Sequence, residues 1–81
     1  MLSLMLMIAA VQEPALCAAG PAEVLIGERY RRGVPSRARK LSGARAVRVV
    51  YPGQVVTQDF REDRLNLRLD YRRRITAVRC G

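Results

Sequence analysis

The chain has no histidine and no tryptophan, and its three serines, Ser3, Ser36 and Ser42, have no base beside them. Nucleophilic and acid–base catalysis depend on such partners, or on carboxylates paired in a pocket. A chain of 81 residues also has little room to enclose a substrate. An enzyme is therefore not expected. Without histidine, two cysteines far apart cannot hold a structural metal, so no cofactor or metal is expected either. Aromatic residues are scarce, with one Phe and three Tyr, which leaves Leu, Val, Ile and Ala to build the core. Positive charge is missing from the start of the chain and abundant later: all fifteen Lys and Arg lie at Arg29 or beyond, for a formal charge of +8. No row of aromatics accompanies them as a base-stacking platform, so nucleic acid is not an expected partner. The charge does leave a second reading open, a basic exported module that binds an anionic polymer or envelope surface.

Leu2 to Val11 is apolar except for Ser3. Its length suits the core of a signal peptide and is too short to span a bilayer. The chain thus divides into a leader-like segment at 1–11, a flexible lead-in at 12–16 and one domain at 17–81. This organisation predicts a secreted or periplasmic, monomeric protein without a transmembrane span, although no basic residue precedes the apolar run. Leu16 before Cys17 argues against lipid anchoring, which needs a small residue there. Cys17 and Cys80 bracket the domain. A bridge between them would close about 64 residues and contribute roughly 4 kcal/mol. The other reading is two free thiols in a reducing compartment.

Hydrophobic spacing places a short helix within Cys17–Ile26, entered at Gly20-Pro21 and ended by Gly27, and a second helix over Val34–Leu41, with Pro35 in its first turn and Gly43 past its end. Ala46–Val50 reads as a strand with Val47 and Val49 on one face. Leu65–Asp70 alternates strictly and sends three leucines to the core. Ile75–Arg79 completes a hairpin with it. Between the first two strands, from Pro52 onward, lies a long stretch with neither helical period nor hairpin signal. Val55, Val56, Phe60 and Pro52 argue that it is ordered, and ordered loops of such length are usually functional.

The residues Leu25-Ile26-Gly27, Ser42-Gly43-Ala44, Val47-Arg48-Val49, Pro52-Gly53, Val56-Thr57, Asp59, Arg61, Asp63-Arg64-Leu65-Asn66 and Cys80-Gly81 resemble the bacterial and fungal peptidase inhibitors typified by a fungal elastase inhibitor, relatives of potato inhibitor type I. The resemblance implies an α+β fold, one helix plus a short N-terminal helix on a small mixed three-stranded sheet, with an extended protease-binding loop. It implies inhibition of a serine protease of subtilisin, chymotrypsin or elastase type, and a disulfide joining the domain's ends. By position it makes Val56, Thr57, Gln58, Asp59, Phe60 and Arg61 the protease-binding loop, with Gln58–Asp59 as the bond presented for cleavage.

A protease binds its substrate as an extended strand, so a loop already extended avoids much of the ordering cost of binding. It inhibits rather than being consumed only if the cut ends stay in place. No cysteine lies in the loop, so charged hydrogen bonds must hold it, and Arg64, Asn66 and Arg68 on the strand beneath are the expected supports. Alternatively Asp59, Glu62 and Asp63 are ordinary solvated acids. Three departures from the family pattern stand out. Gln58 replaces the usual apolar residue, Pro35 delays the helix, and Arg73 stands near a position where glycine is usual, at a cost of about 1 kcal/mol if φ is positive there.

Overall fold

The computed structural model describes residues 16–81. The leader-like segment and all but the last residue of the lead-in lie outside the described residues. Among the described residues no helix is long and apolar enough to cross a membrane.

The first helical segment is shorter than expected and divided: α1 covers Ala19–Ala22 and a 3-10 turn covers Glu23–Leu25. Gly20 and Pro21 are weak helix formers, and the turn's tighter winding brings Leu25 beside Ala22 into the core, both fully buried. Gly27, at φ +91°, then releases the chain. Helix α2 spans Val34–Ser42, one residue beyond the expected end. Gly33 precedes it at φ +95° and Pro35 occupies its first turn, where a missing N–H costs nothing. The extra residue is held locally. Ser42 Oγ donates to the Ala38 carbonyl at 2.6 Å and accepts from the Ala44 amide at 3.2 Å, while Gly43, at φ +73°, caps the end.

Strands β1 (Ala46–Val50), β2 (Arg64–Leu69) and β3 (Ile75–Cys80) form one sheet in the order β1-β2-β3. β2 is central, parallel to β1 and antiparallel to β3. Alternation decides the two faces. Leu65, Leu67 and Leu69 are buried with Ile75, Leu25, Val34 and Ala38, and Val47 and Val49 pack against them. Arg48, Asn66 and Arg68 project from the other face. The two helical segments cover the leucine row, and the long loop crosses near the arginine face. A disulfide between Cys17 and Cys80, with Cα atoms 6.0 Å apart, ties the start of the domain to the end of β3. The hairpin turn at 70–74 places Arg73 at φ +62°, the left-handed conformation that favours glycine.

Candidate functional site

Parallel pairing dictates the loop's course. Ala46 lies opposite Arg64 and Val50 opposite Arg68, so the chain leaves β1 at one end of the sheet and must return to the other before β2 can start. That return, without a crossover helix, covers about 16 Å at strand rise. Residues 51–63 make it. A turn at 52–53 opens the segment, closed by the Gln54 amide on the Tyr51 carbonyl and the Tyr51 amide on Gln54 Oε1. From Gln54 to Arg61 there is neither helix nor turn. Val55 and Phe60 are 93% and 74% exposed, and Thr57, Gln58 and Asp59 are also exposed, so the Gln58–Asp59 segment faces solvent.

Asp59 is where this open stretch is fastened. Its Oδ1 accepts from Thr57 Oγ1 at 2.6 Å and from Arg48 Nη1 at 3.4 Å, and its Oδ2 accepts from Arg64 Nη1 at 3.2 Å. Arg64 Nη2 also donates to the Asp59 backbone carbonyl. The Thr57 hydroxyl, and then the Arg64 guanidinium, hold the Asp59 carboxyl down to about 2, well below the usual carboxylate range. Thr57 and Asp59 are therefore joined across Gln58, whose exposed side chain makes no hydrogen bond among the described residues.

Arg64 is buried despite its charge, because each end of its guanidinium has a partner. Nε donates to the Gly81 carbonyl at 3.1 Å, so one side chain connects the loop, the start of β2 and the end of the chain. The Arg61 amide and the Phe60 ring also lie against Gly81, and Arg61 pairs with Asp63 through two hydrogen bonds of 3.2 and 3.3 Å.

Two of the expected supports behave differently. Arg68 makes none of the contacts to Asp59; Arg48, from the neighbouring strand, takes that place. Arg68 lies four residues along β2 from Arg64, about 13 Å, whereas parallel pairing sets Arg48 directly opposite Asn66. Asn66 acts through that neighbour: its Oδ1 accepts from Arg48 Nε at 2.8 Å, and its Nδ2 donates to the Arg79 carbonyl at 3.1 Å. Alternation with Val47 and Val49 shows in the sequence that Arg48 faces away from the core, but only the parallel register brings it to Asn66 and Asp59. Val56, half-buried, lies with Arg48, Asn66 and Arg68 around a concavity of about 660 Å³ between loop and sheet.

The sequence profile of the peptidase inhibitor I78 family matches residues 17–81. The chain is also similar to the solved structure of the elastase inhibitor AFUEI, with a TM-score of 0.60 and 26% identity over 70% of this chain and 78% of that one. No curated protein matches it in sequence.

Proposed function

The chain belongs to the peptidase inhibitor I78 family, and from that premise we propose that it blocks a serine protease by presenting Gln58–Asp59 as a substrate that is cut slowly and rejoined. The observation that carries this reading is the fastening of Asp59 by Thr57, Arg48 and Arg64 beneath an exposed peptide bond. In such a complex Gln58 fills the enzyme's primary pocket, with Thr57 before it and Asp59, Phe60 and Arg61 beyond. Attack by the protease serine forms an acyl-enzyme at the Gln58 carbonyl and leaves a new amine on Asp59. Arg64 holds Asp59, and Asp59 holds Thr57, so both cut ends remain within reach. Religation then competes with release. Rigidity thus separates an inhibitor from a substrate, and here two guanidinium groups and one hydroxyl supply it.

Gln58 is neutral and polar, which disfavours a trypsin-like pocket built for a cation. The similarity to an elastase inhibitor supports an elastase-like target, and the reading extends to chymotrypsin- and subtilisin-like enzymes. The Cys17–Cys80 bridge suits an oxidising destination, so the reading includes export by the segment at 1–11 and action outside the cytoplasm, in the periplasm or beyond it, as a monomer. Titration of subtilisin, chymotrypsin, elastase and trypsin with the oxidised protein tests the proposal. The expected result is tight inhibition of at least one of the first three, weak action on trypsin, and slow scission after Gln58 by mass spectrometry. Rapid cleavage at another bond, or no inhibition of any of the four, overturns it.

A further inference from the structure

Hydrogen bonds that extend the sheet bring two arginine-rich segments side by side. The Gly27 amide donates to the Ile75 carbonyl at 2.7 Å, the Ile75 amide to the Glu28 carbonyl at 2.9 Å, and the Tyr30 amide to the Arg73 carbonyl at 2.7 Å. Arg29 thereby lies directly opposite Arg74 in an antiparallel bridge. Arg31 and Arg32 continue one run, Arg72 and Arg73 the other, and all six are exposed. None of the six pairs with a carboxylate among the described residues. The two nearest acids in sequence are already engaged. Glu28 pairs with Arg37 at 3.1 Å, and Asp70 Oδ1 accepts from the Arg72 and Arg74 amides at 2.8 and 2.9 Å.

This arrangement works against the fold. Like charges directly opposite in a ladder repel, and Arg73 sits in a left-handed conformation that glycine would adopt freely. Arg74 Nη1 donates to the Gly27 carbonyl at 3.0 Å, but the other five guanidinium groups make no side-chain hydrogen bond among the described residues. Local choices that oppose stability with so little structural return are expected where a ligand supplies the missing partner. We propose that the two runs form a docking strip for an acidic polysaccharide, a chain bearing sulfate or carboxylate groups. All six cations are arginine, whose planar guanidinium grips an oxyanion through two parallel donors. At the Arg29–Arg74 bridge the two segments lie about 5 Å apart, a width that fits one extended polymer rather than a flat bilayer. Tyr30 packs against the core, so Tyr71 alone offers a ring beside the strip, too little to stack a series of bases. The turn at 70–74 follows the end of β2 opposite to Arg64, about 20 Å away at strand rise, so the strip neighbours the start of the loop at Tyr51–Gln54 but lies apart from the Asp59–Arg64 ties.

The test is binding of the full chain to heparin at physiological salt, with variants matched in charge. Arg29→Gln/Arg74→Gln is expected to weaken binding about tenfold, and so is Arg31→Gln/Arg72→Gln, whose side chains carry no contact that the fold needs. Arg39→Gln/Arg45→Gln loses the same charge elsewhere and is expected to weaken it by less than about twofold. Circular dichroism checks that each variant folds. Equal losses in all three pairs would reduce the effect to net charge and overturn the strip. Tighter binding to double-stranded DNA, or to vesicles of anionic phospholipid, at the same charge concentration would overturn the polysaccharide assignment.

Discussion

Asp59 is an exposed carboxylate whose ionisation the loop depends on. Its pKa falls from 3.8 to about 2 because Thr57 and Arg64 bond the charged form. The ties are therefore fully present above pH 4 and are lost as pH falls through 2. Carboxyl NMR should show Asp59 titrating near 2, with the Thr57 signals moving in step; a midpoint near 4 would mean that the carboxylate is free in solution. Arg64 should matter more than any other support, since it alone reaches both the Asp59 side chain and its backbone. Arg64→Ala should leave the helices and sheet folded, weaken inhibition about 10- to 100-fold, and speed scission after Gln58. Unchanged inhibition would remove the basis of the mechanism. Arg73 makes the opposite case, a residue that stability would discard. Arg73→Gly should raise the unfolding free energy by about 1 kcal/mol, read as a higher melting temperature, because glycine accepts φ +62° without a Cβ clash.

At the level of elements, what could be read from the sequence follows from period. The strands were legible to within a residue because Val47 and Val49, and then Leu65, Leu67 and Leu69, alternate without interruption, and α2 because Pro35 and Gly43 punctuate it. The division of the first helical segment was not, since Ala18, Ala19 and Ala22 fit several helical phases and only packing of Leu25 selects the tight turn. The loop's length and the tie between Arg64 and Asp59 were visible, but the strand that contributes the second guanidinium was not. That choice depends on register, and no local pattern places Arg48 opposite Asn66. The consequence is testable. Arg48→Ala should weaken inhibition about two- to fivefold, as expected for a long ion pair to an exposed carboxylate, while Arg68→Ala should leave the inhibition constant unchanged. The reverse order would return the support to β2 alone.

The molecule as a whole explains why its ends are joined. Among the described residues only Leu25, Leu65, Leu67 and Ile75 are large and fully buried, so the core is small. Cores of that size seldom supply more than a few kcal/mol. The bridge between Cys17 and Cys80, 63 residues apart, restricts the unfolded chain by about 4 kcal/mol, comparable to everything the core contributes. The reduced protein should accordingly unfold at much lower urea, and near 37 °C a large share of it should be unfolded. A bound protease counteracts this by mass action, since enzyme at a hundred times the dissociation constant adds about 2.7 kcal/mol. The reduced chain should therefore still inhibit, with an apparent affinity lowered by its unfolded fraction, and should be degraded when enzyme is scarce. Urea titrations of oxidised and reduced protein, each with and without inactivated protease, measure both effects. Equal midpoints for the two redox forms would show that the core is sufficient alone, and the arginine ties would then rest on a frame that needs no covalent closure.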